Sequence, residues 1–197
     1  MWRLPNTLTI LRILLVPVFA LAFMLPGETG RLASFAVFCL AGVSDALDGL
    51  AARKLRASSE FGRMLDPIAD KVLVAVALMM LVASGVLKGF ELVPALVILA
   101  REILVSGLRE FLATVAVSVP VTRVAKMKTV LQMISIGAMI LGPIADKVVP
   151  GALVLAYGLL WIAATLTVYT GFAYLRAGLA HVRVDQTAPQ ARPGSGA

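Results

Sequence analysis

Cysteine and histidine are nearly absent, with one of each in 197 residues, Cys39 and His181. A lone cysteine excludes an intrachain disulfide and any cysteine-based metal site. His181 lies beyond the last apolar run and reads as a solvated residue, not a ligand. There is no long basic run and no basic soluble module, so the net charge of +7 does not point to nucleic acid. No internal repeat is visible. A small-residue cleavage pattern of the signal-peptide kind is also missing after the first apolar run. Acidic residues are few, 11 against 18 Lys and Arg, which makes their placement informative.

What is abundant is apolar sequence. The chain is 60% hydrophobic with a mean hydropathy of +0.94. That is too apolar for a water-soluble chain of this size, and the length allows about six spans of roughly 20 residues. The expected fold is an all-α integral membrane protein with six transmembrane helices. The spans fall near 7–25, 31–53, 64–86, 92–114, 128–141 and 152–175. Residues 26–30 form a turn, and 142–151 a loop after the fifth span. Arg12 sits within the first span and reads as a snorkelling cation near the inner surface, the alternative being a headgroup contact. Cys39 reads as a helix-packing residue. One membrane domain covers 1–181, and 182–197 has the composition of a disordered tail.

Basic residues in the connections set the orientation. Arg53, Lys54, Arg56 and Arg63 join spans two and three; Arg123, Lys126 and Lys128 join spans four and five. The chain ends carry Arg3, Arg176 and Arg183. The opposite side has Arg31, Lys88 and Lys147, each near an acidic residue: Glu28, Glu91 and Asp146. Both termini are therefore expected to be cytoplasmic, and the location is the cell inner (cytoplasmic) membrane. The basic balance suits anionic lipid headgroups.

Four aspartates break the apolar pattern between Ser44 and Lys71. Asp45 and Asp48 share one helix face, and Asp66 and Asp70 share another. Four carboxylates in a low-dielectric site repel one another unless cations or protons neutralise them. All-oxygen ligands favour Mg²⁺, Mn²⁺ or Ca²⁺. Asp45 lies roughly 16 Å along the helix from Arg56, and Asp66 and Asp70 within roughly 10 Å of Arg63. The expected site is thus recessed but open to the cytoplasmic membrane interface.

As a pattern the stretch reads D-x2-D-G-x2-A-R-x8-G-x3-D-x3-D, over Asp45, Asp48, Gly49, Ala52, Arg53, Gly62, Asp66 and Asp70. It resembles the signature of the CDP-alcohol phosphatidyltransferase family at every fixed position. The resemblance implies transfer of a phosphatidyl group from a CDP-linked lipid to an alcohol, with release of CMP. It implies two divalent cations, Mg or Mn, held by Asp45, Asp48, Asp66 and Asp70, with Asp70 also the catalytic base. Asp48, Gly49, Ala52, Arg53 and Gly62 are the implied CDP-lipid-binding residues. The two glycines let nucleotide approach the backbone, and Arg53 can pair with the diphosphate. Family resemblance also implies a homodimer.

The stretches 4–12, 100–111 and 125–133 resemble bacterial members of the family that join sn-glycerol 3-phosphate to CDP-diacylglycerol. The resemblance spans about residues 4 to 175. Such an acceptor carries a phosphate dianion and needs cations. Arg101, Arg109, Lys126 and Lys128 are the candidates for acceptor phosphate binding. Arg101 and Arg109 are eight apart and share a face, with Glu102 about 100° away. Lys71 is expected either to neutralise a carboxylate or to reach a phosphate. The alternatives are another acceptor (inositol phosphate, serine or phosphatidylglycerol) or a cation transporter.

Overall fold

The computed structural model describes the backbone of residues 4–55, 60–115 and 123–187, and within these the side chains of 10–44, 68–69, 71–115 and 124–176. Among the described residues the chain is helical throughout, without strands. The helices are α1 (Leu4–Met24), α2 (Gly27–Leu55), α3 (Glu60–Ala83), α4 (Leu92–Thr114), α5 (Arg123–Val148) and α6 (Ala152–Thr187). One 3-10 turn, Gly89–Glu91, leads into α4. In a bilayer every backbone amide must be satisfied within the segment, which leaves the helix as the form these apolar runs take.

Helix α1 packs against both α2 and α3, and α2 also lies against α5. Helix α6 packs on α4 and α5. The core is apolar: Phe19, Phe38, Leu78, Leu81, Ile98, Ile136, Met139 and Leu160 are all buried. Phe19 and Phe38 join α1 to α2 with ring centroids 6.0 Å apart. The outer faces are apolar as well, with Leu21, Ile103, Leu104, Leu155 and Phe172 all more than three-fifths exposed. Exposed apolar surface of this extent suits contact with lipid or with another apolar surface. Residues Val124–Val148 and Ala152–Arg176 are long and apolar enough to cross a membrane.

Helix α4 runs over the expected residues, 92–114. The expectation for the fifth span needs correction. Residues 142–148 are helical rather than loop, and α5 extends from Arg123 to Val148 with Pro143 inside it. Gly142 is a packing residue there: a Cβ on it would lie 2.5 Å from Leu153 Cδ1. The real turn comes at Gly151, whose φ of +90° is a conformation that favours glycine. Asp146 closes that turn, since its Oδ1 accepts from Gly151 N at 2.9 Å and Leu153 N at 3.3 Å. The other end of α6 also differs from expectation. Helix continues through Thr187, into the stretch read as a disordered tail; 188–197 lie outside the described residues.

Arg12 is the other correction. It is fully buried, so it does not snorkel to the interface. Two turns into α1, its long stem and guanidinium are enclosed by the helix bundle. Cys39 is exposed rather than packed between helices.

Candidate active site

The sequence motif divides between two helices. Asp45 and Asp48 fall on α2, and Asp66 and Asp70 on α3, the two helices that flank α1. Asp45 and Asp48 are three apart on one helix and Asp66 and Asp70 four apart on the next, so each pair shares a face. The side chains of these four, and those of Gly49, Ala52, Arg53 and Gly62, lie outside the described residues. The donor set, four carboxylates and no thiol or imidazole, has the chemistry of a site for hard divalent cations. Among the described residues no group of three or more His, Cys, Asp or Glu could hold a metal ion.

Beside α3 the described side chains build a polar group inside the bundle, centred on α4. Lys71, next to Asp70, does not turn to a described carboxylate; its Nζ donates to Ser106 Oγ of α4. One turn earlier on α4, Glu102 Oε1 accepts from Lys128 Nζ of α5 and from Arg101 Nη1 at 3.3 Å. Arg101 Nη2 donates to Thr170 Oγ1 of α6 at 2.9 Å. Residues 101, 102 and 106 of α4 thus reach α6, α5 and α3 respectively. Lys128 and Arg101 are shielded, with side chains only 5% and 13% exposed.

Of the four cations expected at the acceptor phosphate, the structure brings two together, Arg101 and Lys128. Arg109 and Lys126 are exposed, and neither joins the group around Glu102 among the described contacts. Arg109 lies two turns beyond Arg101, about 12 Å along α4. Arg101 Nε is buried against Gly171 without a hydrogen-bond partner among the described residues. Lys128 has three N–H donors, and one described bond, to Glu102, uses one of them.

Four contributors were not assigned to the site from the sequence: Glu102, Thr170, Gly171 and Gln132. Helical geometry places the Cβ of Glu102 about 100° from that of Arg101, yet its flexible side chain closes the gap. Thr170 and Gly171 lie in the apolar part of α6. Gly171 makes room for the guanidinium stem, since a Cβ there would lie 3.1 Å from Arg101 Nε. Gln132, one turn after Lys128, is buried with its Oε1 unpartnered among the described residues. The available signal was the same in each case: a polar residue, or a glycine, inside an apolar helical run.

A cavity of about 690 Å³ lies between α2 and α5. Phe35, Phe38, Cys39 and Gly42 of α2 line it, with Met133 and Gly137 of α5. Arg12 is the one charged residue in its wall. The wall is otherwise almost wholly apolar, suited to hydrocarbon rather than to nucleotide.

The CDP-alcohol phosphatidyltransferase family model matches residues 2–169. A Rickettsia felis protein named CDP-diacylglycerol–glycerol-3-phosphate 3-phosphatidyltransferase is 47% identical over 175 residues, covering 89% of this chain and 94% of its own. A Pseudomonas fluorescens protein of the same name is 41% identical over 186 residues, 93% of each chain. One from Cereibacter sphaeroides is 35% identical over 219 residues, covering 94% and 99%.

Proposed function

Because the chain belongs to the CDP-alcohol phosphatidyltransferase family, we infer that it transfers the phosphatidyl group of CDP-diacylglycerol to sn-glycerol 3-phosphate, giving phosphatidylglycerophosphate and CMP. The protein is a phosphotransferase of phospholipid synthesis, which answers the alternative of a cation transporter. The shielded pair Arg101 and Lys128 supports an acceptor that carries a phosphate, and the names of the relatives favour glycerol 3-phosphate over inositol phosphate. An acceptor such as serine has no phosphate to match two buried cations, whereas sn-glycerol 3-phosphate does.

The chemistry follows from the residues. The acceptor hydroxyl oxygen forms a bond to the phosphorus of the phosphatidyl group. The bond from that phosphorus to the bridging diphosphate oxygen breaks, and its electron pair leaves with CMP. Asp70 takes the proton of the attacking hydroxyl. Asp45, Asp48, Asp66 and Asp70 would hold two divalent cations, Mg or Mn. When bound, those cations supply positive charge at the diphosphate oxygens. Gly49 and Gly62 admit the nucleotide, and Ala52, on the same stretch, leaves it space. Arg53 and Asp48 fix it. Arg101 and Lys128 bind the acceptor phosphate. Arg109 and Lys126 are exposed and add positive charge that draws the dianion in.

The lipid substrate is fitted to the cavity between α2 and α5. Its apolar wall takes an acyl chain, while α2 carries Asp45 and Asp48 one to two turns beyond Gly42. All six helices cross the bilayer with both termini on the cytoplasmic side, as one membrane domain over 1–181. The loops rich in Arg and Lys support that orientation. The active site then opens at the cytoplasmic interface of the inner membrane, where a lipid and a water-soluble substrate meet. The enzyme works as a homodimer.

The test is CMP release by the purified protein, given CDP-diacylglycerol and one acceptor at a time. Glycerol 3-phosphate should far exceed inositol phosphate, serine and phosphatidylglycerol. Equal release with any of these overturns the acceptor assignment.

A further inference from the structure

We propose that Glu102 is a positioning residue for the acceptor: its carboxylate holds Lys128 and Arg101 at the spacing that receives the phosphate of sn-glycerol 3-phosphate. The inference rests on the reading that these two cations bind that phosphate. Arg101 comes from α4 and Lys128 from α5, and one oxygen, Glu102 Oε1, accepts from both. Left to themselves, two cations this close inside an apolar bundle would repel and swing apart. A carboxylate between them removes that repulsion and supplies a shared anchor.

Charge balance favours the same role. The three groups together carry +1, enough to attract a dianion without leaving two uncompensated cations when the site holds none. Glu102 also leaves donors to spare. Lys128 spends one of its three N–H groups on Glu102, which leaves two for a phosphate. Glu102 itself is an acceptor with no proton to give, so it does not bind phosphate directly. On the far side of the guanidinium, Thr170 accepts from Nη2 at 2.9 Å, so Arg101 is held from two directions.

The experiment uses the full chain and reads CMP release while each substrate is varied at saturating levels of the other. For Glu102→Gln, KM for glycerol 3-phosphate should rise about tenfold or more, since hydrogen bonds to two charged groups are weakened. KM for CDP-diacylglycerol should stay within about twofold, because that substrate does not meet the pair. Glu102→Asp, which keeps the charge on a shorter arm, should fall between wild type and Glu102→Gln. A purely structural role would instead lower the thermal midpoint and disturb both substrates alike, which overturns the proposal. So does an unchanged or lowered KM for glycerol 3-phosphate. If Glu102→Gln does not fold, Glu102→Asp carries the test, and wild-type kinetics there overturn the proposal.

Lys128→Met separates the two levels of the argument. No change in KM for glycerol 3-phosphate with that variant overturns the phosphate pocket itself. A rise with Lys128→Met but none with Glu102→Gln leaves the pocket standing and removes only the role of Glu102.

Discussion

Arg101 Nη2 donates to Thr170 Oγ1 at 2.9 Å, which ties α4 to α6 through a largely shielded guanidinium. Beside it, Gly171 presents no side chain, and the Arg101 stem occupies that space. The Thr170 hydroxyl is itself held within reach of the Leu166 carbonyl at 2.9 Å, so its orientation is fixed by its own helix.

Gly171→Ala should therefore act through Arg101. The added methyl would meet Nε at 3.1 Å and Cγ at 3.3 Å, and the guanidinium would have to shift. An expected outcome is a rise of about threefold to tenfold in KM for glycerol 3-phosphate, the effect of weakening one hydrogen bond to a charged group. Thr170→Val removes the same bond without crowding and should give a similar rise. Substrate-dependence curves for both variants check this. An equal change in KM for CDP-diacylglycerol would contradict it.

The aspartates give the sharpest prediction. Asp45→Asn, Asp66→Asn or Asp70→Asn should abolish CMP release while the protein still inserts and purifies. Chelation of divalent cations should stop wild-type turnover, and Mg or Mn should restore it. Wild-type activity in any one of the three variants, or turnover that survives chelation, would contradict the assigned roles.

The packing of α5 against α6 offers a prediction about stability. Gly142→Ala would place a methyl 2.5 Å from Leu153 Cδ1. Overpacking of this kind typically costs about 1–3 kcal/mol. The thermal midpoint in detergent should fall, and Leu153→Ala in the same chain should recover part of the loss. An unchanged midpoint would mean that the two helices yield without cost.

Gly142 also shows where the sequence was legible and where it was not. The run Gly142-Pro143 reads locally as a helix end, because both residues disfavour helix interiors. What overrides that preference is tertiary: α5 packs along α6, with the Leu153 side chain filling the space over Gly142, and the helix continues. Close approach leaves no trace in a single apolar run. The motif aspartates were legible because charge within apolar sequence is costly and its spacing is fixed. Arg101 and Lys128 were legible for the same reason. Glu102 was visible but misjudged, since helical geometry places its Cβ away from Arg101 and says nothing of where a flexible side chain reaches. Arg12 was misjudged in the opposite sense. A cation near a helix start usually escapes to the interface, and here the surrounding helices enclose it.

The cavity between α2 and α5 can be tested with the chain's own single thiol. Cys39 is exposed and lines that cavity, and no other cysteine competes for label. If an acyl chain of CDP-diacylglycerol lies along this wall, it covers Cys39. Labelling by an apolar maleimide in detergent should then slow several-fold when long-chain CDP-diacylglycerol is present. CMP, which has no acyl chain, should leave the labelling rate unchanged. Cys39→Trp would fill the groove, so KM should rise for long-chain substrate and much less for a short-chain analogue. The contrast between chain lengths is decisive, because a general loss of folding would affect both equally. Labelling that ignores the lipid, together with unaltered kinetics of Cys39→Trp, would place the acyl chains elsewhere on the bundle.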